Sequence, residues 1–352
     1  MTGNPKVIFN LKSLQYILVC GLLLYFGRSF FIPISVSLLI SFVLYPVCIW
    51  LERHRFNRGA AISLSISLLV LGGLGLGYLF FRQIIDFSSE WPQLEKKLVQ
   101  SLLQLSDYIS GNFSIKSEEQ VVILKDALKK SSFQILGFFP QVVYSSGVLL
   151  VMAILIPIIS ALMLFHRARL VKVLSAFFPE GEIQKVRNVL SLSVANYYNF
   201  IKGMLIVYFT VGLLNSIGLF FLGIPYSFLF GYIAAVMTFI PYAGIIISSL
   251  LPITIAWVTY DSVWYPIGVV AIFTVVQYLE ANVIFPLAVS SRLKVNTLVT
   301  LAAILIGGII WGAAGMILFI PYLGIIKVIA DQTEVLAPLA MLLDSKEISP
   351  EN

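Results

Sequence analysis

Long apolar runs separated by short polar stretches set the pattern of this chain. The runs at 11–27, 30–50, 60–81, 141–165, 203–223 and 264–286 are each close to the ~20 apolar residues that carry a helix across a bilayer. Two further runs, 226–259 and 296–329, are 34 residues each. At ~1.5 Å per residue each would be roughly 50 Å long as one helix, too long for an ordinary crossing. Both contain breakers: Pro241-Tyr242-Ala243-Gly244 in the first, and Gly307-Gly308 followed by Gly312 and Gly315 in the second. Each is read as a helical hairpin or as one long tilted span. Arm lengths and the placement of basic residues favour re-entrant hairpins.

The polar stretches also carry helical periodicity. Leu94, Leu98, Leu102, Leu105 and Ile109 recur at three- and four-residue steps, an amphipathic stripe. Ser117-Glu118-Glu119-Gln120 reads as a capping box opening a second helix. In 166–200, Pro179-Glu180-Gly181 is a break, after which Ile183, Val186, Val189, Leu190 and Val194 form an apolar stripe suited to a helix lying along the interface. The expected fold is an all-α polytopic membrane protein with about eight transmembrane helices and a small extracytoplasmic helical segment. Its expected parts are a three-span scaffold (1–82), the outer segment (83–140), a fourth span with the interfacial helix (141–200), a transport core with both hairpins (201–335) and a tail (336–352).

Composition names the solvent. Of 352 residues, 59% are hydrophobic and 11% charged, where soluble domains carry about 25% charged, so a water-soluble or disordered chain is excluded. The net charge of +6 is read as loop charge rather than nucleic-acid binding. Arg53, Arg55 and Arg58, then Arg167, Arg169, Lys172, Lys185 and Arg187, with Lys6 and Lys12, place these stretches and the N-terminus in the cytoplasm by the positive-inside rule. The C-terminus returns to the same side. Residues 83–140, with six Lys and seven Asp/Glu, are nearly neutral and assigned to the outside. Cys20, Cys48, His54 and His166 lack ligand spacing, so no metal or other cofactor is expected. No nucleotide-binding, hydrolase or metalloprotease signature occurs, so neither an enzyme nor an ATP-driven pump is indicated.

The chemistry must come from exceptions to the apolar rule. Between Ile201 and Ile326 the charges are Lys202, Asp261, Glu280, Arg292 and Lys294. Glu280 lies inside a run, where an acidic side chain is costly and needs a reason. Gln277 and Thr274 precede it by one and two turns, and Asn282 and Pro286 follow. The carboxyl binds a coupling proton, Na⁺ or a solute hydroxyl, or else it reaches the surface or pairs with Lys202 or Arg292. A second polar group, Asn196-Tyr197-Tyr198-Asn199 with Lys202 and Gly203, leads into a run carrying Tyr208 and Asn215. It is an interfacial anchor or a cytoplasmic vestibule. Residues 231–247 repeat at 311–327, including Phe239/Phe319, Pro241/Pro321, Tyr242/Tyr322 and Gly244/Gly324. Paired interrupted segments point to the binding site of a secondary transporter.

The stretch from Phe165 to Asp331 resembles the autoinducer-2 exporter family of bacterial membrane proteins. The matching pieces are Phe200-Ile201-Lys202-Gly203, Leu222-Gly223-Ile224-Pro225-Tyr226, Ile240-Pro241-Tyr242-Ala243-Gly244, Glu280-Ala281-Asn282-Val283-Ile284-Phe285-Pro286, and Gly307-Gly308…Trp311-Gly312…Gly315-Met316…Ile320-Pro321…Leu323…Ile326-Lys327. The chain departs from the family pattern at Met204, Leu287 and Asn296-Thr297. The resemblance implies an eight-span, homo-oligomeric inner-membrane permease linked to export of autoinducer-2 or to Na⁺(Li⁺)/H⁺ antiport. On this reading Glu280, Gln277, Asn282, Asn215, Lys202, Pro241, Tyr242 and Gly244 bind solute or ion. Pro286, Gly307, Gly308, Gly312, Gly315 and Pro321 are break or hinge positions. Three functions stay open: solute exporter coupled to H⁺ or Na⁺, cation/proton antiporter, and membrane scaffold or regulator.

Overall fold

The computed structural model describes residues 11–113, 146–238, 243–260, 262–290 and 295–345. The expected helix at 117–128, and Pro241, Tyr242, Asp261, Arg292 and Lys294, lie outside the described residues. Among those described, all regular elements are helical. They are α1 (Leu11–Phe26), α2 (Arg28–Arg53), α3 (Arg58–Phe113), α4 (Ser146–Phe165), α5 (Arg167–Ala176), α6 (Ile183–Phe221), α7 (Ser227–Met237), α8 (Ala243–Thr259), α9 (Trp264–Leu279), α10 (Thr297–Trp311), α11 (Ala313–Asp331) and α12 (Ala337–Leu343). Five helical stretches are long and apolar enough to cross a membrane, or six if α4 is counted together with α5, which is bent from it by 69°.

Two compact units are present. The first comprises residues up to Val70, Met152–Met204 and Pro286 onward. Here α2 and α4 are joined by serines: Ser37 Oγ donates to Ile156 O at 3.1 Å and Ser160 Oγ to Ser37 O at 3.1 Å. Membrane helices use such hydroxyls because lipid offers them no other partner. α2 and α3 meet through buried Cys48 and Ala61. The turn between them needs Arg55 at φ +70°, and Asn57 Oδ1 accepts from Ala60 N at 2.7 Å to start α3.

The second hairpin belongs to this unit. α10 and α11 pack side by side and against α1 and α2. The chain reverses at Gly312 (φ +62°), a conformation that Gly adopts without a Cβ penalty. Gly307, Gly308 and Gly315 do not break the stretch; they lie within α10 and α11. A Cβ at Gly315 would stand 1.9 Å from Gly307 O, so the two arms touch through their backbones. Pro321 also sits inside continuous α11. Val295 bridges Asp344, and Asn296 N donates to Leu343 O at 3.0 Å, so the hairpin starts and finishes at the same end.

The second unit comprises Leu71–Val151 and Leu205–Phe285. Its core gathers Phe87 and Trp91 of α3 with Leu219, Leu229, Phe230, Ile255, Val269 and Phe273. α7 packs on α8, and α8 on α9, which makes 226–259 the other hairpin. α7, at 11 residues, spans only ~16 Å at 1.5 Å per residue, about half the hydrocarbon thickness. It is re-entrant by length. Gly231 sits against Ser216 and the Gly212 carbonyl of α6, so these helices also approach closely.

Two expectations are corrected. The stripe at 183–194 does not form a separate interfacial helix, because α6 continues unbroken to Phe221. Between Ile183 and Lys202 there is neither Gly nor Pro to stop it. The helix set at an angle to its neighbouring span is α5 instead. Likewise, 83–113 is not a helix apart from the third span. α3 runs for 56 residues, tolerating Pro92, with no other Gly or Pro from Tyr78 to Ser110.

Candidate solute and ion site

Glu280 ends the buried stripe Val269, Phe273, Val276, Glu280 of α9, set by steps of four, three and four residues. It is 5% exposed, so its carboxyl does not reach the surface. At this residue the helix widens into i→i+5 turns over Glu280–Ile284, and again over Pro286–Ser290. Pro286 supplies the local cause: it has no N–H to donate, and its ring crowds the carbonyl four residues back. Such widenings occur often at functional sites.

The carboxyl meets the end of the first hairpin's short arm. Thr238 caps α7 and its Oγ1 bonds the Ala234 carbonyl (3.1 Å) and Glu280 Oε2 (3.5 Å). Having one proton, the hydroxyl serves these two acceptors in turn. Tyr208 of α6 is within electrostatic reach of the same carboxyl. Beside Thr238 the arms close tightly: a Cβ at Gly244 would be 1.8 Å from Met237 O. The site is therefore a buried carboxyl, a hydroxyl at a helix end and a tyrosine, at the mouth of a re-entrant hairpin. The described ion pairs are Arg167–Glu52 and Lys327–Asp331, and Glu280 is in neither. A buried carboxylate without a cation is expensive, whereas the protonated acid or an ion-bound carboxylate is not. The arrangement is suited to taking up and releasing a cation.

The other expected site residues are spread out. Gln277 is half-buried, and Asn282 is exposed with its Nδ2 donating to Tyr278 O (2.9 Å). Asn215 is buried; its Nδ2 donates to Val211 O (3.1 Å), while its Oδ1 has no partner among the described residues. Lys202 is exposed, but Gly203 beside it is pressed against Ala288 O. Sequence reasoning missed Thr238; its signal was a hydroxyl placed directly before Phe239-Ile240-Pro241-Tyr242. Lys327 is part of a matching piece, but its burial (8% exposed) and its pairing with Asp331 at 3.1 Å were not read from the sequence. Two anchors of the second hairpin went unseen as well: Trp311 Nε1 donates to Leu24 O (2.9 Å) and Tyr322 OH to Ser35 O (3.0 Å).

A helical, multi-pass membrane architecture with two hairpins, one of them ending at a buried carboxyl, is that of a membrane transporter. The family described as AI-2E family transporter matches residues 14–334. The chain belongs to this family. YrrI of Bacillus subtilis (strain 168), which carries a provisional transport name, is 26% identical over 313 residues, 86% of each chain. YhhT of Escherichia coli (strain K12), similarly named, is 23% identical over 341 residues, covering 96% of this chain and 93% of its own. TqsA of Escherichia coli (strain K12), an AI-2 transport protein by name, is 21% identical over 359 residues, 97% of each chain.

Proposed function

We propose that this chain exports a small, polar, mostly neutral solute such as autoinducer-2 across a bacterial cytoplasmic membrane, coupled to H⁺ or Na⁺ taken up at Glu280. The observation that carries the reading is the buried Glu280 carboxyl against Thr238 at the hairpin mouth. The name of TqsA supports the solute. Movement of the hairpin alternates access, and the carboxyl must be neutralised each time it passes through apolar surroundings. A second reading, cation/proton antiport with Glu280 as the whole exchange site, is favoured by one fact: Asn282 is exposed and donates its amide to its own helix, away from the buried carboxyl.

The proposed orientation has both termini in the cytoplasm. The support is that Arg58 bonds Leu164 O and Glu52 pairs with Arg167, so two arginine-rich stretches share one end of their unit. The proposed assembly is a homo-oligomer. The α3 span is barely buried within the chain (6%), and Gly72, Gly73, Gly75 and Gly77 have open space around them, a small-residue pattern that membrane helices use for packing.

The test is reconstitution in proteoliposomes with autoinducer-2 inside and Na⁺ and H⁺ gradients imposed separately. Gradient-driven efflux is expected, falling to the level of protein-free liposomes in Glu280→Gln. Full activity of that variant overturns the role of Glu280. Cation exchange without solute movement selects the antiporter reading.

A further inference from the structure

A cluster of half-buried charge lies in the first unit, where the α2–α3 turn meets the bend between α4 and α5. Arg167 Nη2 donates to Glu52 Oε2 at 2.6 Å, and its guanidinium lies 5.3 Å from the Tyr45 ring. Arg58 Nη2 donates to Leu164 O at 3.1 Å, and its guanidinium lies 5.6 Å from the Phe165 ring. One guanidinium thus pairs with the carboxylate while the other bonds only a neutral main-chain carbonyl, leaving an excess positive charge. Each guanidinium has five N–H donors, and the buried atoms Arg58 Nε and Arg167 Nη1 have no hydrogen-bond partner among the described residues, nor has Glu52 Oε1. The side chains of Arg167 and Glu52 are not sealed: each keeps 22% of its surface open. Arg53, Arg55, Arg169 and Lys172 stand exposed nearby in sequence, and like charges gathered this way repel unless an anion joins them.

α5 supplies the second half of the argument. It leaves the spanning helix α4 at 69°. Leu170, Val173 and Leu174, continued by Phe177, follow one face at helical spacing, and all four are exposed, Phe177 by 80%. Arg169 and Lys172 fall off that face. A short amphipathic helix bent away from a membrane span, with a bare apolar face and a basic remainder, is built to lie in the headgroup layer. The anion that is always present there is a lipid phosphate.

We propose that this elbow is a binding site for the phosphate of an anionic phospholipid. Arg58 and Arg167 hold the phosphodiester oxygens through charge-assisted hydrogen bonds, in the bidentate manner guanidiniums favour. Leu170, Val173, Leu174 and Phe177 lie against the acyl chains. The Glu52 carboxylate, already paired, keeps Arg167 in place and repels a second anion. Free phosphate shares the headgroup chemistry but has nothing to offer the apolar face of α5, so the ligand is the lipid.

The experiment uses the full chain, purified in neutral detergent and offered phosphatidylglycerol and phosphatidylcholine in equal amount. Retained lipid is counted by native mass spectrometry, with inorganic phosphate added in a parallel arm. The expected result is a preference of about tenfold for phosphatidylglycerol, the scale of one charged hydrogen bond, that inorganic phosphate does not remove. Arg58→Gln loses this preference while Arg53→Gln, in the exposed turn, keeps it. Phe177→Ser, at a surface position that does not threaten folding, weakens retention of both lipids while the preference stays. Equal retention of the two lipids by the native chain, an unchanged preference in Arg58→Gln, or full displacement by inorganic phosphate overturns the proposal.

Discussion

The α7–α8 hairpin closes where a Cβ at Gly244 would overlap Met237 O, and its short arm ends on Thr238 beside the Glu280 carboxyl. The α10–α11 hairpin closes on Gly307 and Gly315, turns at Gly312, and is fastened to α1 and α2 by the Trp311 indole and the Tyr322 hydroxyl. Both achieve backbone contact by removing side chains at the crossing, as membrane helices do in general. They differ in what stands beside the crossing. The first brings an ionisable group and a hydroxyl together; the second spends its polar side chains on main-chain carbonyls of neighbouring helices. Re-entrant architecture alone therefore does not mark a chemical site. The buried acid does.

The repeated sequence makes the same point. Phe-Ile-Pro-Tyr occurs at 239–242 and at 319–322. In the first copy it follows the end of α7. In the second it lies inside α11, with Pro321 buried in an unbroken helix. A proline removes one hydrogen bond, but a membrane helix held by its neighbours tolerates that loss. In α11 it is the tertiary surroundings, rather than the tetrapeptide, that keep the chain helical.

The largest expected effect on this comparison comes from filling the crossings. Gly244→Val and Gly315→Val each place atoms on a carbonyl oxygen and are expected to destabilise the chain by ~3 kcal/mol or more, the upper end of overpacking costs. Thermal unfolding of the detergent-solubilised protein measures this, and a small change in either shows that the arms separate freely. Gly312→Ala meets no atom within 4 Å and carries only the penalty of its positive φ with extended ψ (φ 62°, ψ −143°), about 1–3 kcal/mol. A larger loss would mean that the turn is packed rather than merely bent. Smaller still are Trp311→Phe and Tyr322→Phe, each removing one hydrogen bond worth ~0.5–1.5 kcal/mol. They are expected to lower the melting temperature while leaving the transport rate per folded molecule unchanged. Thr238→Val reverses that pattern, with transport slowed and stability nearly unaffected; if it and Trp311→Phe behave alike in proteoliposomes, the functional contrast between the hairpins is lost. The smallest effect has the opposite sign: Gly75→Ala, in open space on α3, stabilises the isolated chain by ~0.5–1 kcal/mol.

Much of this was readable from residues in order. The breaker around Gly244 and the reversal near Gly312 were marked by Pro and Gly, and Glu280 was marked by its cost. The unbroken course of α6 through Asn196-Tyr197-Tyr198-Asn199 was not, because a polar group beside an apolar run reads as the membrane boundary, where an interfacial helix would give way to a separate span, until its surroundings are known. The partner of Glu280 was hidden for a different reason. Thr238 comes from 42 residues away, and nothing in the composition of either segment names the other.

By itself the sequence determined the solvent, the helical class, where the apolar runs lie and the position of the costly carboxyl Glu280. These follow from lipid physics, which acts on each stretch of chain separately: apolar residues partition, and every backbone hydrogen bond must close within its own segment. Only the tertiary structure decided which glycine turns and which ones pack, that Pro321 sits within a continuous helix, and that Thr238 stands beside Glu280 with Tyr208 in electrostatic reach. Those outcomes depend on side chains from distant helices competing for the same few ångströms, a condition that no local pattern contains.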